Sequence, residues 1–349
     1  MATKWLRRLG TKRSGFRYAD ETGRVVRDKR TLQRVDVLRI PPAWRDVHIA
    51  ASPRSAIQAW GYDARGRKQY RYHDRAVERR ELRKYYRMRE LAKSLPKMRA
   101  ILRQDAAGRD LARETVTATV LRLISESFCR VGGERYAREN GTYGITTLRK
   151  KHVSIDGDCV VLSYLGKSNK KQRQVIVNRE LTKLVARQLA APGSRLFRYR
   201  SADGGWCDVT ARDVNNYVHD RLGSQYSAKD FRTWGGTLRA ATVLAELGAA
   251  GNEREAKRNV ALAMRLVSSE LGNTPTICRK SYVHPIVIAR YVDEGDAISL
   301  PAARRVAANR GQAHSPEERA LIAFLDRHFP ERRRRPRHSD EGEDERSAA

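Results

Sequence analysis

The 349-residue chain is poor in cysteine and in long apolar runs. Its four cysteines, Cys129, Cys159, Cys207 and Cys278, are widely scattered and include no Cys-x-x-Cys pair. That spacing excludes a disulfide framework and a thiolate zinc centre, and it fits a reducing, cytosolic setting. No uninterrupted apolar run approaches the roughly 20 residues a membrane-spanning helix needs. The N-terminus lacks an apolar signal core, and no lipidation signal is present. Acidic residues are also scarce: 40 Asp and Glu stand against 71 Lys and Arg, a net charge of +31. Self-repulsion of that size opposes compaction and calls for a polyanionic partner. Nucleic acid fits best, because neutralising phosphates releases counterions. A membrane surface is a weaker alternative without an amphipathic anchor. The phosphate-binding loop of nucleotide hydrolases is missing as well. Gly166-Lys167-Ser168 would need an earlier glycine at position 161, which is Val161, so no nucleoside triphosphate is expected.

The length suits about two domains, each with its own core. Residues 1–78 read as a β-rich domain. Phe16 and Tyr18 alternate into a turn at Asp20-Glu21-Thr22-Gly23, with Val25-Val26 resuming beyond it. Ile40-Pro41-Pro42-Ala43-Trp44 reads as an extended linker or edge, since two prolines exclude a central strand. Residues 57–62 and 67–72 flank Asp63-Ala64-Arg65-Gly66, a hairpin turn. On the second arm Arg67, Gln69 and Arg71 share one face, while Lys68, Tyr70 and Tyr72 share the other. Two readings fit: a ribbon in a major groove with Arg and Gln reaching base edges, or a half-buried strand with packed tyrosines and solvated charges.

From about Asp74 the period changes from two to 3.6, which sets the domain boundary at about residue 78. Leu82, Tyr85, Tyr86, Leu91 and Leu95 fall close to one helical face, with a break expected near Pro96 and another helix after it. Val116, Val120, Leu123, Ile124 and Phe128 mark a buried helix ending in Cys129-Arg130, where the arginine suits a helix dipole. Residues 153–177 read as an antiparallel meander, with turns at Asp156-Gly157 and over residues 166–172. Lys167 then sits at a hairpin tip, where solvation alone would account for it. Residues 213–222 and 228–247 read as helices. Ala256, Val260, Ala263, Met264, Val267 and Leu271 give another, capped by Asn252 and ended by a left-handed Gly272. Asn273-Thr274-Pro275 turns the chain, and Tyr282 rides on a following short helix. The larger domain spans 79–312. Residues 313–349 hold a C-terminal helix and a disordered tail with Arg332-Arg333-Arg334-Arg335 and an acidic end.

Taken in order, Arg130, Lys167, Arg232, Asn273 and Tyr282 resemble the active-site set of type IB DNA topoisomerases, in the compact poxvirus-like branch also found in bacteria. The motifs are Arg130-Val131-Gly132-Gly133-Glu134-Arg135-Tyr136, Gly144-Ile145-Thr146-Thr147-Leu148, Leu165-Gly166-Lys167, Lys229-Asp230-Phe231-Arg232-Thr233-Trp234-Gly235, and Gly272-Asn273-Thr274-Pro275 with Tyr282. The proline linker and Gly66-Arg67-Lys68-Gln69-Tyr70-Arg71-Tyr72 extend the resemblance, which spans roughly residues 16–295. It implies an α+β protein: a small β-rich N-terminal domain and a larger, mainly helical catalytic domain carrying a short β meander, clamped around duplex DNA. It further implies an ATP-independent isomerase with no metal and no other cofactor, working as a monomer on supercoiled DNA in the cytoplasm, associated with the nucleoid. Arg67, Gln69, Tyr70, Tyr72, Arg135, Tyr136 and Lys229 match positions that touch DNA. One departure is Asn273, where the poxvirus enzymes have histidine; cellular members of the branch carry asparagine. An amide can donate to a phosphate oxygen but holds no charge, which argues against proton transfer there.

The residue types suit the implied chemistry. Reversible cleavage of DNA without a cofactor requires a covalent link that conserves the phosphodiester energy, and a phenolate is a competent leaving group for religation. Guanidinium groups favour the phenolate and offer paired donors to non-bridging oxygens. The resemblance gives Lys167 the part of general acid toward the departing 5′ oxygen. A tyrosine recombinase would share the tyrosine, but recombinases typically carry histidine three residues before the second arginine, where this chain has Lys229. A non-catalytic DNA-coating protein would account for the charge and for none of the five residues.

Overall fold

The computed structural model describes residues 4–301 and 313–329. The chain divides into two compact units, Met1–Lys84 and Tyr85–Ala349. The first contains β1 (Trp5–Thr11), β2 (Gly15–Ala19), α1 (Lys29–Val37), β3 (Arg45–Ala50), β4 (Ile57–Tyr62) and β5 (Lys68–Tyr72). Its strands form one antiparallel sheet in the order β2-β1-β3-β4-β5. Alternation along the strands gathers Leu6, Val47, Ile49 and Ala59 into a small core with Val35 of α1. The hairpin expected between residues 57 and 72 forms, with β4 and β5 paired across it.

Two features of this unit depart from the sequence reading. Val25-Val26 makes no strand: Val25 forms an isolated bridge to Ala19, and the hairpin partner of β2 is β1. The turn expected at residues 20–23 does form, with the Asp20 carboxylate accepting from the backbone of Thr22 and Arg24. The helix α1 was not expected ahead of the proline linker. Its signal is Asp28, whose side chain accepts from the Thr31 N–H.

Next comes α2 (Asp74–Ala106), which runs unbroken through Pro96. Proline has no N–H and should leave the carbonyl four residues earlier without a donor. That carbonyl is Ala92, and His314 Nε2 donates to it at 2.7 Å from 222 positions away. The break read from sequence is therefore repaired by a side chain that no local pattern could reveal.

The remaining elements are α3 (Arg113–Ser127), α4 (Glu134–Asn140), β6 (Val153–Asp156), β7 (Cys159–Gly166), β8 (Lys170–Val177), α5 (Arg179–Ala190), β9 (Arg198–Arg200), β10 (Trp206–Asp208), α6 (Ala211–Tyr217), α7 (Ala228–Leu247), α8 (Glu253–Leu271), α9 (Pro275–Ser281), α10 (Pro285–Glu294) and α11 (Pro316–His328). The fold is α+β. Phe197, Phe231, Trp234 and Tyr291 are fully buried in the core of this unit. The meander β6-β7-β8 is antiparallel, and its second turn is tighter than expected. Ser168 and Asn169, at φ 62° and 56°, reverse the chain, so residues 170–172 already belong to β8. Residues 213–222 are not one regular helix: α6 ends at Tyr217, and residues 218–222 widen into a π turn. The helices α7 and α8 occupy the expected residues, and Asn252 accepts from the Glu255 N–H. Tyr282 is the residue that ends α9 and does not lie within it. Among the described residues no helix is long and apolar enough to cross a membrane. The arginine run at 332–335 and the acidic end lie outside the described residues.

Candidate active site

An α-helix leaves its last four carbonyls without donors of its own. At the end of α8, Gly272 takes the left-handed conformation (φ 62°, ψ 40°) and the Asn273 N–H returns to the Ser268 carbonyl at 3.0 Å. Glycine does this without a Cβ clash. The next carbonyls are taken by side chains from other elements. Gln174 Nε2 donates to Glu270 O at 2.8 Å, and Arg232 Nη2 to Leu271 O at 2.9 Å. Arg130 donates from both Nη atoms to Gly272 O at 3.3 Å and also bonds the Asn273 side-chain oxygen. Lys170 Nζ donates to the Asn273 carbonyl. Arg130 follows α3 in the chain, yet the helix end it complements is that of α8. Arg232 joins the two helices, since its Nη1 donates to the carbonyl of Phe128, the residue that ends α3.

Arg130 and Arg232 repel each other. Burial first, and then the Arg232 charge, hold the Arg130 guanidinium below its ordinary value, although arginine stays charged. Other arginines of this unit face carboxylates: Arg87 meets Asp230, Arg99 meets Glu318, and Arg195 meets Glu134. Among the described residues Arg130 and Arg232 have no such partner. The carbonyls at the negative end of α8 compensate them only in part. A compact pair of cations remains, matched to an oxyanion.

Tyr282 lies beside this pair, its ring centroid 5.1 Å from the Arg232 guanidinium carbon. The backbone that follows is fixed from α7 and α2. The Thr237 hydroxyl lies 3.1 Å from the Tyr282 carbonyl and accepts from the His284 N–H at 3.1 Å, and Tyr85 Oη donates to Val283 O at 3.0 Å. Close approach of α7 depends on Gly235 and Gly236. A Cβ at Gly236 would lie 2.9 Å from the Tyr282 carbonyl oxygen, and one at Gly235 would lie 2.3 Å from the Phe128 ring.

A cleft of about 330 Å³ brings Arg130, Lys167, Arg232 and Tyr282 together, with Tyr136 and Lys229 at its wall. Asn273 reaches the cluster through Arg130. Its Nδ2 is buried and faces the Cys278 thiol, which burial pushes up and the Asn273 side chain draws down. Arg135 and Tyr136 stand exposed on α4, where Arg135 pairs with Glu139 at 3.0 Å. The helix is anchored by Glu134, which takes two bonds from Arg195 at 2.7 and 2.8 Å. Lys229 is exposed on the first turn of α7, next to the buried Asp230 that caps that helix.

Arg67, Gln69, Tyr70 and Tyr72 belong to the first unit. There Arg67 and Gln69 converge on the Asp63 carboxylate at 2.8 and 3.0 Å, and Arg71 donates to Arg39 O. On the other strand face Tyr70 and Tyr72 stack 5.8 Å apart, and Lys68 Nζ lies 3.7 Å from the Trp60 ring centre. The residues that sequence reasoning missed are Lys170, Gln174, Gly236 and Thr237. Only Gly235-Gly236 carried a signal, because an interior helical glycine costs about 1 kcal/mol relative to alanine and needs a packing reason.

The profile of the eukaryotic DNA topoisomerase I catalytic core matches residues 68–302, about two-thirds of the chain, and includes all five clustered residues. The chain belongs to the type IB DNA topoisomerase family. Residues 15–63 match the N-terminal domain of bacterial DNA topoisomerase IB. DNA topoisomerase 1B of Acanthamoeba polyphaga mimivirus is 34% identical over 283 residues, 79% of this chain and 84% of that protein. DNA topoisomerase I of Monkeypox virus is 22% identical over 244 residues, 67% of this chain and 72% of that protein. The XerH site-specific recombinase bound to its difH substrate overlays 55% of this chain and 49% of that chain. Its TM-score of 0.35 at 13% identity is too low to carry weight. As a type IB topoisomerase the protein is an isomerase that acts on DNA.

Proposed function

We propose that Tyr282 is the nucleophile of this topoisomerase, that Arg130, Arg232 and Asn273 hold the scissile phosphate, and that Lys167 is the general acid. The observation that carries this reading is the pair of arginines without a carboxylate beside the Tyr282 ring. Tyr282 Oη attacks phosphorus and its proton passes to solvent. The new P–O bond forms as the bond to the 5′ oxygen breaks, and Lys167 supplies the proton that oxygen takes. The guanidinium groups and the Asn273 Nδ2 stabilise the charge on the non-bridging oxygens. The product is a 3′-phosphotyrosine with a free 5′ hydroxyl strand, which rotates and is then religated. Supercoils of both signs relax without ATP, a metal or any other cofactor. Arg67, Gln69, Tyr70, Tyr72, Arg135, Tyr136 and Lys229 contact the duplex, and the enzyme works as a monomer on nucleoid DNA.

The test is relaxation of negatively and positively supercoiled plasmid in EDTA without ATP. Both should relax, and Tyr282→Phe should lose relaxation and the covalent DNA adduct while keeping DNA affinity. An adduct that persists in Tyr282→Phe would move the nucleophile elsewhere.

A further inference from the structure

Lys167 stands at the tip of the β7–β8 hairpin, exposed and far in sequence from the other residues of the cleft. A general acid on a free loop would be poorly aimed, yet this hairpin is not free. Lys170, Gln172 and Gln174 alternate on one side of β8, as period two requires. All three meet the end of α8: Lys170 binds the Asn273 carbonyl, and Gln174 donates to Glu270 O at 2.8 Å. Gln172 is packed beneath Gly272 so closely that a Cβ there would lie 2.2 Å from its Oε1. The same helix end holds Arg130 and Arg232 through the carbonyls of Leu271 and Gly272. The strand that delivers Lys167 is thus registered on the stretch of backbone that holds the arginines and leads to Tyr282.

We infer that Lys170 and Gln174 are positioning residues for the general acid: they dock the β7–β8 hairpin on the α8 terminus and so set Lys167 against the leaving 5′ oxygen. The inference rests on the role given to Lys167 above. Neither residue touches the reacting atoms, and neither donates the proton. A displacement of about 1 Å at a reacting centre costs on the order of 100-fold in rate. The defect of losing the dock should fall on leaving-group protonation alone.

The experiment compares two duplexes carrying a cleavage site mapped on plasmid, one with the natural 5′ oxygen at the scissile phosphate and one with a 5′-bridging sulfur. Sulfur leaves as a thiolate and needs no proton. Adduct formation is followed in a single turnover for wild type, Lys167→Ala, Lys170→Met and Gln174→Leu. On the oxygen duplex Lys170→Met should slow by about 100-fold, and Gln174→Leu, which changes no charge, in the same direction. On the sulfur duplex both should return close to wild type, as Lys167→Ala should. Equal slowing on both duplexes would overturn the inference, placing Lys170 and Gln174 in phosphate binding or in the fold. Unchanged rates on the oxygen duplex would overturn it too. If Lys167→Ala itself gains nothing from sulfur, Lys167 is not the acid, and that distinct result removes both readings.

Discussion

Single residues decide how closely the parts of this site approach. Alanine is the better helix former by about 1 kcal/mol, so an interior Gly→Ala change in α7 would be stabilising on propensity alone. Packing opposes it, because overfilling a tight contact costs about 1–3 kcal/mol. At Gly235 the obstacle is the ring of Phe128, itself held at φ 52°. Gly235→Ala should therefore lower unfolding free energy by about 1–2 kcal/mol in urea titrations. At Gly236 the obstacle is backbone, the Tyr282 carbonyl oxygen at 2.9 Å. Gly236→Ala should also lower stability, and it should slow adduct formation, because the atom displaced is the backbone carbonyl of Tyr282. Asp63 gives a pH-dependent case. Bonds from the Arg67 side chain and then its backbone hold its carboxyl at about 2, against an ordinary 3.8. A depressed carboxylate stabilises the fold in full above its unfolded value, and the contribution is lost as pH falls through the folded one. The order of the β4–β5 turn should therefore persist to about pH 4 and fade toward pH 2. Carboxyl NMR should place the Asp63 midpoint near 2, and a midpoint near 4 would show that Arg67 does not hold it.

At the scale of elements, Pro96 and His314 form a coupled pair inside unit two. Removing a buried group's partner costs about 1–3 kcal/mol. His314→Ala should cost that much in the natural chain, where Ala92 O then has no donor. In a Pro96→Ala background the new N–H can bond the same carbonyl, so His314→Ala should cost clearly less. A double-mutant cycle by urea unfolding reads the difference, and additivity would refute the coupling. This pair also shows where the sequence stops being legible. Asn252 and Gly272 bound α8 correctly because both signals are local: a side chain on a nearby N–H and a left-handed residue. The repair at Pro96 is invisible because its donor comes from beyond α10. The five clustered residues were legible as side-chain motifs, whereas the carbonyls that orient them were not, since every residue has one and only the fold decides which are left over.

For the molecule as a whole the governing quantity is the net charge of +31. Each phosphate neutralised contributes about −0.9 to the slope of log affinity against log salt. With six to ten such contacts, affinity should fall by roughly 10³ to 10⁵ between about 50 and 200 mM salt. Fluorescence anisotropy on a labelled duplex measures it, and a flat dependence would mean that the surplus charge does not face DNA. The α8 terminus carries a consequence of another kind, for how the chain can change over time. Four successive carbonyls there are each matched to a particular side chain. One residue inserted into or deleted from α8 would turn that end by about 100° and shift it by about 1.5 Å, so every match would fail together. Exposed positions along α8 can be exchanged one at a time, but its length is a single indivisible trait, inherited whole or lost with the site.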